Sequence, residues 1–517
     1  MDGIATRTRS GGASLGAHTM QSQTDVVVVG GGVTGTAIAR ELSRYQLDVV
    51  LVEKSPDVCT GTSKANTALI HAGFNADPDK QKGRLNVRGN ELYHERIQHE
   101  LDVPIEWRGA MVVATDESER PKLEELLAKG QDNGVDGLEI LEREQLLKKE
   151  PHLTDDAVAA LWAPTAGIVN PFELTVGFAN NAVENGASVE LEAEVTDITQ
   201  TDAGFTVETA RGEIDAETVI NAAGLYADEV SAMVGVDDFE ITPRRGEYYL
   251  YDKQFDIDIE TTIFPVPTEV TKGIVVTPTD EENLLIGPNA QEIDDKRDKA
   301  TTRQGLDKVL DGAQKTVPDL TKKDVIKEFA GLRPAIKETG DFRIQIEEEV
   351  PGFINAAGIQ SPGLASAPAT AELVVDLVEE LHGDLEEDPT FDPNYSGPPK
   401  VRHMSHEERA ALIEEDEAYG QIICRCETVT EGEIRDAINQ PVPAQTVNAI
   451  KRRVRPGAGR CQGGFCGPRV VEILSEELGI PMTDVKLEGE GSELLTGEIK
   501  QPLLERVEER SEVNADD

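Results

Sequence analysis

Hydrophobic and polar positions alternate with two different periods along this chain. Asp25-Val26-Val27-Val28-Val29 is a β-branched apolar run of the kind that forms a parallel strand buried on both faces. A glycine turn follows, then an amphipathic helical pattern over about 33–45, then a second apolar run over 47–53; together they predict a βαβ unit. The charged stretch 83–150, Glu/Lys-rich toward its end, reads as helical. Shorter strand-like and helical segments alternate through 158–220 and lead into a strong strand at 218–222. Residues 240–350 carry alternating apolar patterns punctuated by Pro and Gly, which predicts a mostly antiparallel sheet in a second lobe. A third strand at 352–356 meets a glycine turn at Gly358 and a helix over about 365–381.

The pattern also divides the chain. Residues 1–20 are rich in Gly, Ser, Thr and Arg and read as a disordered extension; Met20, just before the first strand, is an alternative start. Residues 21–382 read as one unit of interleaved lobes and 383–420, rich in Asp, Glu and Pro, as an acidic linker. Residues 421–480 read as a compact cysteine-bearing module, and 481–517 as an acidic, frayed tail. With 517 residues, more than one domain is expected. No apolar run reaches the roughly 18 residues needed to span a bilayer, so any membrane contact is expected to be peripheral.

Charge changes the picture in one respect. There are 98 acidic and 50 basic residues, a formal net charge of −48 spread along the whole chain. Such a surface repels nucleic acid. Its global distribution predicts adaptation to high salt, where self-repulsion is screened; a solvated acidic face is the plainer reading. The five cysteines are Cys59, Cys424, Cys426, Cys461 and Cys466. They do not form a secreted disulfide framework, and the N-terminus lacks a signal-peptide apolar segment, which predicts a reducing cytoplasmic location, free or at the inner membrane face.

Candidate chemistry begins at Gly30-Gly31-Gly32-Val33-Thr34-Gly35, a G-x-G-x-x-G match between a strand and a helix. Gly30 permits the tight turn, Gly32 a close approach to a pyrophosphate, and Gly35 close packing of helix on sheet, while the helix N-terminus favours the phosphates. Glu53, ending the second strand, is placed to bind ribose hydroxyls, with Lys54 beside it. The motif alone leaves FAD and NAD open. The segment Ile220 to Asp228, with Ala223 and Gly224, offers small residues against a dinucleotide. Ala357-Gly358-Ile359-Gln360-Ser361-Pro362-Gly363-Leu364 is a glycine loop feeding a helix, whose dipole would stabilise negative charge on a reduced flavin; a nicotinamide carries no such anion. FAD is therefore expected, with Thr62, Ser63, Asn66, Val195, Gly358, Ser361, Gly363 and Leu364 among its contacts.

Over residues 24–380 these motifs resemble the D-amino-acid oxidase type of FAD-dependent oxidoreductases, which implies a Rossmann-like FAD domain with an antiparallel substrate lobe. Gly61 to Asn66 with His71-Ala72-Gly73, Pro243 to Tyr248, and Gly331-Leu332-Arg333-Pro334 resemble glycerol-3-phosphate and L-2-hydroxyglutarate dehydrogenases. Oxidising such an alcohol needs a base for the hydroxyl proton and cations for the anionic group. His71 is the candidate base and Arg333 the anion clamp, with Tyr248 and Arg245 lining the same pocket; Lys64 and Asn66 are expected to contact the flavin or its loop. Each has a plainer reading, a structural histidine or a surface ion pair.

Cys424-x-Cys426 and Cys461-x4-Cys466 offer four thiolates in two close pairs, which suit zinc or an iron–sulfur cluster. The spacings are unusual for a zinc ribbon. Thr430 and Glu433 form a capping-box pattern for the helix after the first pair, and Gly467-Pro468 starts another helix. The phrase from Gly459 to Cys466 resembles the bacterioferritin-associated-ferredoxin module, which implies a [2Fe–2S] cluster. The fusion is similar to that of the A subunits of anaerobic glycerol-3-phosphate dehydrogenases. It implies a dehydrogenase that passes electrons to a partner subunit or quinone pool. An amine or amino-acid oxidising flavoenzyme remains an alternative, as does an electron-transfer subunit without its own substrate. The expected fold is α/β, a Rossmann-like FAD-binding domain with an antiparallel-sheet substrate lobe and a small, mainly helical iron–sulfur module.

Overall fold

In the computed structural model, which describes residues 20–267 and 273–497, the glycine turn lies at the centre of an eight-stranded sheet. Its core strands are β1 (Gln23–Val29), β2 (Val49–Val52), β3 (Gly212–Asn221) and, farther along the chain, Phe353–Ala357. β1 pairs in parallel with β2 on one side and β3 on the other, and β3 pairs in parallel with Phe353–Ala357. Val26 and Val28 pack into the layer of helices Val33–Leu42 and Gly363–His382. Val27 and Val29 pack against Phe205 and Val207 of the hairpin on the opposite face. Burial on both faces is why the run is apolar without alternation.

The second sheet has nine strands. Its longest pairing joins Ile241–Tyr251 to Val325–Ile336 in antiparallel register, with Arg244 opposite Arg333 and Tyr248 opposite Phe329. The expected antiparallel lobe is present, with one parallel pairing between Thr262–Pro265 and Ala110–Ala114. The stretch 83–150 is not uniformly helical. It contains the strands Ala110–Ala114 and Glu139–Glu142 of this second sheet. Ala110–Ala114 is buried throughout, and pairing on both sides overrides its weak strand signal.

Residues 383–420 are a packed strap rather than a free linker. Gln46 N–H donates to Glu386 O at 2.8 Å, and Asp102 N–H to Tyr395 O at 3.0 Å. The fully buried Arg40 reaches Pro393 O (2.9 Å), Asn181 Oδ1 (2.7 Å) and Glu100 (2.7 Å). Side-chain periodicity is weak here because backbone groups and single side chains, not an apolar face, hold the strap. A capped helix, His406–Glu415, and a 3-10 turn, Glu417–Gly420, close it.

The module has a short hairpin, Ile422–Cys424 with Val429–Thr430, and three helices, Glu431–Ile438, Val447–Val454 and Gly467–Leu478. Ile434, Ile450, Ile473 and Leu474 fill its core. The start of the expected frayed tail is ordered against it: Val447 N–H donates to Lys486 O, Asn448 N–H to Leu487 O, and Val485 is buried. Residues 498–517, and all of the expected N-terminal extension except the half-buried Met20, lie outside the described residues. Among the described residues, no helix is long and apolar enough to cross a membrane.

Candidate functional site

The tip of β1 shows why its glycines are needed. Gly30 has φ +113°, and a Cβ there would sit 2.5 Å from Ala222 O; one at Gly35 would sit 2.0 Å from Gly30 O. The close approach leaves a cavity of about 250 Å³ along the carboxyl ends of the parallel strands, lined by Gly30, Gly32, Ala223 and Gly224. Gly35 packs helix on turn behind the cavity, and Gly358 (φ +67°) shapes the turn that carries Ser361. Glu53 is fixed by two backbone donors, Gly31 N–H to Oε2 (2.7 Å) and Ser55 N–H to Oε1 (2.9 Å). Lys54 Nζ lies 3.3 Å from the Tyr226 ring centroid, and burial lowers its pKa. Val195 lines a smaller adjoining recess of about 110 Å³ with Glu53 and Lys54.

The segment 60–67 closes one wall. Ser63 Oγ accepts from Val33 N–H at 2.9 Å, at the start of the first helix. Thr62 Oγ1 donates to Leu332 O (2.7 Å) and Asn66 Nδ2 to Ser63 O (2.7 Å), so this wall is tied to the second lobe and to itself. Lys64 does not face this cavity; it turns toward the module, 3.7 Å from Glu488. Tyr226, from the segment Ile220 to Asp228, also lines the cavity, as do Lys296 and Lys299, which no motif in the sequence marks.

At the far end, segments remote in sequence converge. Ser361 Oγ lies 3.4 Å from His71 Nε2, and the His71 ring is 6.0 Å from that of Phe264. Arg333 and Tyr248 line the same cavity from neighbouring strands, and Tyr248 stacks on Phe329 at 4.7 Å. Burial raises the Tyr248 pKa, and the Arg333 guanidinium opposes the rise. Gly363 and Leu364 complete this end, where helix Gly363–His382 begins. Arg245 does not reach the cavity. It is one strand position out of phase with Arg244 and Tyr248, so it points to the other face of the sheet, where it pairs with Asp298 (2.8 Å).

Cys426 Sγ and Cys461 Sγ are 3.9 Å apart and exposed, while Cys424 and Cys466 form a second, buried pair. A hydrogen bond from the Cys466 thiol, then burial opposed by backbone N–H groups of Gly457, Glu427 and Cys426, leaves Cys424 at about 6. Backbone N–H groups of Phe465 and Gly463 hold Cys461 below the usual thiol range. Thiols arranged two and two, with backbone donors turned toward sulfur, suit a dinuclear iron–sulfur cluster. The Thr430–Glu433 capping box forms as expected. Cys59 is a buried packing residue; burial pushes its thiol up to about 11.

Comparison with known proteins agrees with this geometry. Residues 25–377 match the family described as FAD dependent oxidoreductase, and residues 422–476 match the BFD-like [2Fe-2S] binding domain. The chain belongs to the FAD-dependent oxidoreductase family, with a fused [2Fe-2S]-binding domain. It is 46% identical over 479 residues to a glycerol 3-phosphate dehydrogenase of Caloramator mitchellensis, covering 93% of this chain and 99% of that protein. It is 27% identical to the anaerobic glycerol-3-phosphate dehydrogenase subunit A1 of Haloferax volcanii, covering 89% of this chain and 84% of that protein. The structure of L-alpha-glycerophosphate oxidase from Mycoplasma pneumoniae with FAD bound aligns with a TM-score of 0.70 and 33% identity, covering 73% of this chain and all of that one.

Proposed function

We propose that this chain oxidises glycerol-3-phosphate to dihydroxyacetone phosphate. The observation that carries this is the convergence of Arg333, Tyr248 and His71 at the end of the dinucleotide cleft beyond the glycine turn. The planar fork of Arg333 suits the phosphate, and the hydroxyl of Tyr248 adds a hydrogen-bonding group beside it. His71, next to Ser361, is the group that takes the hydroxyl proton as the carbon loses hydride. FAD, when bound along the cleft, supplies the hydride acceptor. Cys424, Cys426, Cys461 and Cys466 would hold the [2Fe–2S] cluster, which when bound supplies a one-electron relay toward a partner subunit or quinone pool.

The test is an anaerobic titration of FAD-loaded protein in high salt. Glycerol-3-phosphate bleaches the flavin band, and Arg333→Met lowers kcat/KM by about 100-fold or more, as expected for losing one partner of a desolvated charge pair. Bleaching by L-2-hydroxyglutarate alone would transfer the assignment to a 2-hydroxy acid. Fast peroxide-forming turnover unchanged by Cys424→Ser would make the chain an oxidase.

A further inference from the structure

A second cavity, of about 310 Å³, lies where the FAD unit, the substrate lobe and the cysteine module meet. Ala65 and Asn66 separate it from the FAD cleft, since both residues line both spaces. Phe329, whose ring stacks on Tyr248 of the cleft, forms part of its floor. Gln462, next to Cys461, forms part of its roof.

The charges around this cavity are uneven. Lys64, Lys327, Lys451, Arg452 and Arg455 face it, against Asp280 and Glu488. Arg452 is taken up by Asp57 and Glu488, both at 2.8 Å, and Arg455 by Glu427 at 3.0 Å. Lys64 shares Glu488. Asp280 accepts a hydrogen bond from Asn170 at 2.9 Å. That leaves the ammonium groups of Lys327 and Lys451 with no hydrogen bond and no carboxylate within 4 Å among the described residues, although Glu488 favours the charged form of Lys451 from farther away. In a chain with 98 acidic and 50 basic residues, carboxylates are not scarce. Two unpaired ammonium groups at one concave site need another explanation, since a half-buried cation without a partner costs stability.

We propose that this cavity binds a phosphate monoester. Two unpaired cations match a dianion, whereas a single carboxylate would neutralise only one. Phe172, Leu250, Leu285 and Phe329 supply a wall for the apolar body of the ligand. Burial, and then the crowding of Lys327 and Arg452, brings Lys451 down to about 7, so an arriving phosphate would restore its full charge. The occupant would touch the FAD-side loop and the cysteine loop at once, and its binding would tighten the seating of the module.

The test uses FAD-loaded full-length protein and phenyl phosphate as probe, followed by calorimetry. The expected result is a site of binding in the wild type that weakens about tenfold or more in Lys451→Met, survives in Lys451→Arg, and persists in Arg333→Met, which removes only the binding that belongs to the cleft. Without ligand, Lys451→Met should also raise Tm, because it removes a half-buried amine whose charge is opposed by burial and by Lys327 and Arg452; a lysine with a purely structural role would lower it. Absence of binding in the wild type overturns the proposal. So does binding lost in Arg333→Met but retained in Lys451→Met and Lys327→Met, which would place the probe in the substrate end of the FAD cleft.

Discussion

The cleft and the seam beside it are built from opposite materials. The cleft is made of backbone and small residues, with Gly30, Gly32, Ala223 and Gly224 brought within reach of one another by parallel strands whose interiors are apolar. The seam between module and FAD unit is made of buried charge. Asp57 is fully buried and accepts four bonds of 2.8–2.9 Å from Arg452 and Arg453, almost four hundred residues away. Glu281 and Glu427 are shared among Arg402, Arg455 and Lys253. A turn packed from backbone and small residues tolerates change wherever shape is kept, whereas a buried ion network fails when one member is lost. The difference predicts two separable phenotypes, loss of cofactor without loss of the module and loss of the module without loss of cofactor.

The largest effect is expected from Gly35→Val. Its Cβ would fall 2.0 Å from Gly30 O, which is backbone and cannot move aside, so the turn that admits the pyrophosphate opens. The purified protein should carry no FAD, and its Tm should fall by several degrees, in line with a cost of about 3 kcal/mol for strain at a close-packed site. Flavin content per chain measures this directly. Retention of stoichiometric FAD would mean that the close packing is not what shapes the site.

Next comes Asp57→Asn, which keeps the size of the side chain and removes its charge. Against a burial that would raise it, Arg453 and Arg452 hold Asp57 below the usual carboxylate range, so the native pair depends on ionisation. The two guanidiniums left behind should cost about 3–5 kcal/mol. The loss should appear in limited proteolysis as early release of a C-terminal fragment, while the flavin stays bound. If FAD were lost along with the module, the two regions would be one cooperative unit and the comparison would collapse.

The same contrast explains what could be read from the chain. Contiguous signals carried the cleft: the apolar run of β1, the glycine spacing, Glu53 at the end of β2, and the loop around Ser361. The capping box at Thr430 was equally local. Long-range pairings were not legible. Nothing near Asp57 announces Arg452 and Arg453, and nothing near Lys64 shows that it turns to Glu488 instead of the flavin. Arg245 is a single position out of phase, because residue type and neighbourhood suggest a pocket-lining cation while strand parity decides the face. Residues 383–420 looked like a linker because the strap is held by its backbone and by single groups such as Arg40, which leave no period.

The smallest predicted effect concerns pH. Burial would raise Glu281, but Arg455, Arg402 and Lys253 outweigh it and hold the carboxyl at about 2, against 4.5 for the free group. Between those values the unfolded chain binds the proton more readily than the folded one. The stabilisation from Glu281 is therefore complete above pH 4.5 and is lost as pH falls toward 2, with a size of roughly 1–2 kcal/mol once solvent screening is allowed for. Glu281→Gln should lower stability near neutral pH by that amount and flatten the acid limb of the profile, as followed by chemical denaturation at a series of pH values. The flavin-binding cleft should show no matching change, because Glu281 does not line it. An unchanged acid limb in the variant would mean that Glu427 alone neutralises Arg455 and Lys253, and that the seam is less finely balanced than its crowded charges imply.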